Sequence, residues 1–460
     1  MRRFIVFGTV CLGLLLSSIT TYASSVAIST IIKDLNTDII LAGWVLSVYS
    51  LMYTVISPLA GRITEMLGRK STFIEYTLLF ITGSILCALA PNVYFLIGAR
   101  ALQALGGGGF MPCAAGIVAD EFPEARERYI GLFGSILPIG MVIGPNVGAL
   151  FTQAWGWRSI YWLNLPLGLI VLVLSILLLP AKQKKNVRTS IDFIGSGLLF
   201  GTVFTFMVGL SVVGSYHEIP WLIVIVLWLL SIGMFIPFLR WEHREKSPII
   251  DVELLSSRPF LAANIYNILY GVTGLGILSL IPLFGVNVYK MSVLESGIML
   301  TPRSIGLLVA SGITSFFLMR WGYLKPILVG TIILAFGFLL LAFETPGSSV
   351  MGINIGATVV LFGVIGLCGI GPGVSGPAAN NSCIELMPDK VATITGLRGM
   401  FRSLGSTMGV SLATVILNMV EDVQRAWFIV LIASVVITLI SVPSIFGMPA
   451  PPTSRIVAEK

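Results

Sequence analysis

The sequence predicts an all-α integral membrane protein with fourteen transmembrane helices, arranged as two related six-helix bundles with two further helices inserted between them. Three observations carry that prediction. Hydrophobic residues make up 56% of the chain and charged residues only 11%, with a mean hydropathy of +0.96, whereas soluble proteins carry about 25% charged residues. The apolar stretches run to roughly 20 residues each, the length a helix needs to cross a bilayer. Finally, much of the segment from Gly106 to Gly148 returns 265 positions later. Period-2 alternation is absent, and in lipid only helices and closed barrels satisfy their own backbone, so a helical bundle is expected rather than a β-barrel.

The repeat is specific. Gly106, Gly108, Pro112 and Ala114 fall on Gly371, Gly373, Pro377 and Ala379. Pro123 and Glu124 fall on Pro388 and Asp389, and Gly131, Gly134, Gly140 and Gly144 fall on Gly396, Gly399, Gly405 and Gly409. Glycines match easily in a chain that has 49 of them, but the prolines and the acidic loop residue keep the same register. Two halves running in the same direction are therefore expected.

Taken in order, the spans are expected at about 4–32, 40–60, 72–90, 93–118, 129–151, 158–180, 191–213, 220–239, 260–288, 293–318, 326–343, 350–383, 395–418 and 425–447. The first begins after Arg2 and Arg3. Its TYASS at Thr21 to Ser25 could pass for a signal-peptidase site, but the run continues to Ile32, too long for a signal core, and is expected to be retained. With an inner amino terminus the inner segments hold twenty Lys and Arg, against four on the outer segments (Lys33, Arg158, Lys290 and Arg425). That asymmetry puts both termini in the cytoplasm of a multi-pass cell-membrane protein. The domains are expected at 1–180, 260–447 and a tail at 448–460. The linker 181–259 carries spans 7 and 8 between KQKKNVR (Lys182 to Arg188) and RWEHREK (Arg240 to Lys246).

Several function classes drop out. GRKS at Gly68 to Ser71 lacks the spacing of a phosphate loop, so ATP chemistry is not expected. The five cysteines have no CxxC spacing and His217 and His243 stand alone, so neither a metal nor any other cofactor is expected. The +7 charge is a topology signal rather than a sign of nucleic-acid binding. A membrane enzyme would need an acid, His or Ser constellation at one interface, and none is visible.

Span 5 carries Gly140, Gly144 and Gly148 at four-residue spacing, so another helix can approach closely along one face. Pro145 removes a backbone donor and disfavours helical geometry at Gly144, so a soft point is expected there. Six glycines and two prolines in one span point to a moving interface with the other bundle.

These residues carry a resemblance. GSILPIGMVIGPNVGA looks like the antiporter motif of drug:proton antiporters in the major facilitator superfamily. GRITEMLGRK (Gly61 to Lys70) resembles that superfamily's loop motif, RALQALGGG (Arg100 to Gly108) its helix-4 motif, and WGWRSIYWLNLPLG with the count of fourteen its fourteen-helix branch. The resemblance implies the major facilitator fold, two six-helix bundles rocking around a central cavity. It also implies a secondary transporter, most simply an exporter of amphipathic small molecules or drugs, acting as a monomer with protons as coupling partner. In the loop motif formed by Gly61, Glu65, Gly68, Arg69 and Lys70, Glu65 stands where the family usually has Asp. The resemblance places it against the start of span 13, near Thr395. The second copy, Met319 to Lys325, keeps Gly322 but has no acid.

Family order implies a cavity lined by spans 1, 4, 9 and 12. The expected contacts are Thr20, Tyr22, Ser24, Arg100, Gln103, Asn264, Asn267, Tyr270, Arg303, Asn380 and Asn381, with Tyr266 as apolar wall. Arg100 and Arg303 lie too deep to snorkel easily, whereas Arg398 and Arg402 are expected to snorkel from the inner end of span 13. The branch usually carries an Asp in mid-helix 1, and Thr20 stands in its place. No other span has a mid-depth acid, and hydroxyls cannot carry protons. A proton-independent transporter of a lipid or other amphipath is therefore the alternative. With the arginines kept and the acids gone, neutral or anionic amphipaths are expected to be preferred over quaternary ammonium compounds, unless Glu75 or Glu295 reaches the cavity.

Overall fold

The computed structural model describes residues 2–37, 39–134, 136–180, 192–215, 219–245, 252–291, 295, 298–343 and 357–450. Fourteen helices among them are long and apolar enough to cross a membrane. The first half comprises α1 (Arg2–Val26), α2 (Ile39–Leu67), α3 (Arg69–Ala88), α4 (Val93–Glu121), α5 (Arg126–Gly134 and Ile136–Trp155) and α6 (Arg158–Leu178). Next come α7 (Phe193–Ser215) and α8 (Trp221–Glu242). The second half comprises α9 (Arg258–Tyr270, continuing as a π-helical stretch over Gly271–Ile277), α10 (Leu300–Trp321), α11 (Leu324–Phe343), α12 (Ala357–Ile384), α13 (Val391–Met419) and α14 (Val423–Ile440).

Helix ends follow local chemistry. Asn92, Ser257 and Asp422 cap α4, α9 and α14 by accepting first-turn backbone N–H bonds. Gly68 between α2 and α3 has φ +95°, and Gly322 between α10 and α11 has φ +70°. Left-handed backbone favours glycine, so the two tight turns hold the same residue for the same reason. Three boundaries differ from expectation. The first run does not continue unbroken to Ile32: α1 ends at Val26 and a separate short helix, Ile28–Asp34, follows. There Asp34 accepts from Trp157 and Arg158 on the far side of the bundle, and the Arg158 guanidinium holds its carboxyl below the usual range. At the other end of the chain, α13 begins at Val391 rather than 395. The expected positions Lys182 to Arg188, His217 and 350–356 lie outside the described residues.

Close packing makes the internal repeat visible in three dimensions. A Cβ on Gly106 would strike Tyr76 and Phe80 of α3, and one on Gly371 would strike Gly330 and Leu334 of α11. Likewise Gly108 faces Tyr53 and Ile56 of α2, while Gly373 faces Leu307 and Ala310 of α10. The glycines are 265 positions apart but all four of their partners are 254 apart, as are Gly68 and Gly322. Both halves are built to one plan.

The Gly140, Gly144 and Gly148 face packs on α1 of its own half, against Ser18, Ile19, Tyr22 and Ala23, and not on the other bundle as expected. In the same way Gly405 and Gly409 seat α13 on α9. Opposite halves meet instead through the amino-terminal ends of α5 and α13. Gly131 of α5 lies against Ser315 of α10 and Pro377 of α12, and Gly396 of α13 lies against Ser57 and Pro58 of α2. Helix α7 packs against both halves, with Ser411 of α13 donating to the Leu210 carbonyl at 2.7 Å. Helix α8 packs mainly on α7 and leaves a large apolar face exposed.

Candidate substrate cavity and the contacts that close it

Between the halves lies a cavity of about 650 Å³. The wall from the first half carries Ser17, Ser18, Thr21 and Tyr22 of α1, Ser47, Tyr49, Ser50, Tyr53 and Thr54 of α2, and Met141 of α5. From the second half come Tyr270 and Ser279, Arg303 and Ser311 of α10, Asn380 of α12, and Thr395, Arg398, Arg402 and Ser406 of α13. Helices α2, α5, α10 and α13 thus join the expected α1, α9 and α12, while α4 gives only Met111 and α7 adds Met207 and Ser211.

Of the expected contacts, Tyr22, Tyr270, Arg303 and Asn380 line the cavity. Thr20, Ser24, Arg100 and Gln103 do not, because they satisfy one another and their neighbours inside the first half. Arg100 is 0% exposed, donates to the Val45 carbonyl and the Gln103 carbonyl oxygen, and lies 4.1 Å from the Tyr49 ring centroid. Gln103 donates to Ser84, which Asn164 also reaches; Thr20 donates to Asn164, and Ser24 to Tyr161. Only Tyr49, which bonds Ser17 at 2.8 Å, links this network to the cavity. Asn264 and Asn267 turn back to carbonyls of their own helix. Asn381 donates to the Glu127 carbonyl across the halves, and Tyr266 borders a smaller pocket beside Thr331.

Arg398 and Arg402 do not snorkel. They stand 7 and 11 residues into α13, about 10 and 16 Å along it at 1.5 Å per residue. Arg398 is 5% exposed and donates to Asn380 Oδ1 at 3.0 Å, while Arg402 lies 5.4 Å from the Tyr270 ring centroid. Arg303, 2% exposed, donates to the Gly274 carbonyl at 3.0 Å, inside the π-helical stretch of α9. Among the described residues no Asp, Glu or His lines the cavity. Glu75 and Glu295 are both exposed and stand apart from it.

The halves are latched at the ends of α2, α5, α12 and α13 on the side carrying the amino terminus. Glu65 Oε1 accepts from the Ala392 backbone N–H at 3.0 Å, at the first turn of α13. Such a carboxylate–dipole contact is worth about 0.3–1 kcal/mol, up to ~2 when partly buried. Arg69 holds that carboxylate in place, reaching Glu65 at 3.7 Å and Asp120 at 2.6 Å and donating to the Gly116 carbonyl; Lys70 donates to the Ile176 carbonyl. Gly61 lets α2 approach, since a Cβ there would meet the Ala392 carbonyl at 2.4 Å. The second copy has no acid at Met319, and its latch runs the other way. Arg126 of α5 crosses to Glu385 of α12 at 3.1 Å, and Tyr323 donates to the same oxygen. This pair was missed because the two residues are far apart in sequence and each reads alone as a loop charge.

A family model for the Major Facilitator Superfamily matches residues 10–410. The chain belongs to that superfamily. Among curated superfamily relatives it is 30% identical to multidrug resistance protein 3 of Bacillus subtilis over 414 residues, covering 89% of this chain and 78% of that one. It is 26% identical to the multidrug transporter protein MdtP of the same organism, covering 91% and 76%. Identity to the multidrug resistance protein Stp of Mycobacterium tuberculosis is 31%, covering 80% and 67%. The crystal structure of the human organic anion transporter MFSD10 shares the fold, with a TM-score of 0.70 at 16% identity over 96% of this chain and 99% of that one. The fourteen helices, the duplicated halves and the cavity between them are those of a multi-pass membrane transporter of this superfamily.

Proposed function

We propose that this chain is a monomeric secondary transporter of the cell membrane that exports amphipathic small molecules by alternating access. The observation that carries the reading is a cavity between two halves built to one plan, latched on one side by Glu65 against α13 and by Arg126 against Glu385. Read with the positive-inside charge pattern, the latched side is cytoplasmic and the cavity faces outwards. The relatives' printed names support a drug-like cargo.

Proton antiport is the default for the resembling branch. The second reading, transport without proton coupling, rests on the absence of any Asp, Glu or His among the described cavity residues and on Thr20 standing where the branch carries Asp. A carrier of protons must titrate and be reached from both sides. Flux of a dye panel in proteoliposomes tests both readings at once. Protein-dependent flux is expected. Acceleration of that flux by an imposed pH gradient would identify antiport, and indifference to the gradient would identify the uncoupled mode. No flux of any amphipath would overturn the exporter assignment.

A further inference from the structure

Buried arginines cost free energy unless something satisfies them. Arg303, Arg398 and Arg402 all line the cavity, and each leaves guanidinium nitrogen buried without a partner. These are Nε and Nη1 of Arg303, Nε of Arg398 and Nε of Arg402. Their protein partners are neutral: the Gly274 carbonyl, the Asn380 amide oxygen and the Tyr270 ring. A charge is therefore missing from the site.

The three stand at different depths. Arg303 bonds at Gly274, sixteen residues along α9, whereas Arg402 lies at Tyr270, twelve along, and Arg398 lies lower still on α13. At 1.5 Å per residue the first two levels are about 6 Å apart. All three belong to the second half. The facing wall of α1 and α2 offers no cation, only rings and hydroxyls such as Tyr22, Tyr49 and Tyr53.

Resting on the exporter reading for its physiological role, we propose that this cavity is a binding site for anionic amphipaths. The carboxylate, sulfonate or phosphate head takes the unpartnered guanidinium N–H groups of α10 and α13, and the apolar body lies against the tyrosine wall of α1 and α2. Guanidinium suits such heads because its planar N–H fork matches two oxygens at once. Arg100, sealed inside the first half, takes no part. The head group can belong to a water-soluble acid or to an anionic lipid, since both present the same oxygens.

The test uses the full chain in nanodiscs of neutral phosphatidylcholine, titrated with an aryl sulfonate dye and with a quaternary ammonium dye of the same aromatic body. Saturable binding of the sulfonate at least tenfold tighter than the cation, weakening with salt, is the expected result. Arg303→Gln and Arg402→Gln should each weaken the sulfonate about tenfold and leave the cation unchanged or tighter. Arg402→Lys keeps the charge and should retain most of the affinity, which separates loss of the site from loss of the fold. Competition by phosphatidylglycerol added to the disc would identify a lipid head group, and its absence a soluble acid. Equal or tighter binding of the cation, no saturable sulfonate binding, or an unchanged sulfonate constant in both Gln variants would each overturn the site. Flux of the cationic dye alongside such a result would leave the exporter standing. Sulfonate binding without flux of any compound would support the site and count against export.

Discussion

Glu65 and Glu385 occupy unrelated places in the repeat, yet both carry a negative charge from one half onto the other. Glu65 engages a helix terminus, so Glu65→Gln removes the charge–dipole part and keeps an acceptor. The expected loss is about 1 kcal/mol, roughly fivefold in the closed-to-open ratio on the latched side. Arg126–Glu385 is a side-chain pair with each partner 10% exposed, so a double-mutant cycle with Arg126→Gln and Glu385→Gln should show coupling of ~1–3 kcal/mol. Spin-label distances between the α2 and α13 ends read both effects, as populations of a longer distance. An unmoved distribution in Glu65→Gln would reduce that residue to a loop charge. The Glu65 contact was legible in the sequence because a short motif names both the acid and its target. Arg398 and Arg402 were misjudged because their depth was counted from a helix start placed four residues too late, at 395 instead of Val391.

At the level of elements, the glycine-rich α5 changes meaning. Its close approach is to α1, within one bundle, so Gly144 holds a half together rather than lubricating the halves. A leucine there would drive its Cβ to 2.7 Å from Tyr22 Cβ and 3.0 Å from the Ile19 carbonyl, and backbone cannot swing aside. Gly144→Leu is expected to destabilise the first half by about 1–3 kcal/mol or more, lowering the thermal midpoint and the yield of folded protein. Gly8→Leu, with no atom within 4 Å of its Cβ, is the matched control. A normal midpoint for Gly144→Leu would show that α1 and α5 are not held at this distance in the membrane. The existence of all fourteen spans was legible because apolar length alone dictates it. Which face of each helix looks inward was not. Helices apolar on every side carry no stripe to orient them, and so Tyr49 and Tyr53 of α2 went unnoticed while Gln103 of α4, which turns towards α3, was expected in the cavity.

For the whole molecule, orientation is the claim with the simplest check. Pro91 and Asp389 are exposed at opposite ends of the bundle, and all five native cysteines are buried. A cysteine at Pro91 should therefore label from outside intact cells with an impermeant maleimide, and one at Asp389 only after permeabilisation. The reverse pattern would invert the topology and, with it, the side on which the latches close.

The two offsets that relate the halves also record how they parted. Helices α2 and α3 map onto α10 and α11 at 254, and α4 and the start of α5 map onto α12 and α13 at 265. The eleven-residue difference falls in one place, the connection between the third and fourth helix of each half. A single change of length there accounts for it. Since the ancestral unit was doubled, the chain has tolerated lengthening or shortening in that connection while every contact glycine on either side of it kept its partner. Selection has guarded the registers of the helices and left the spacing between them free.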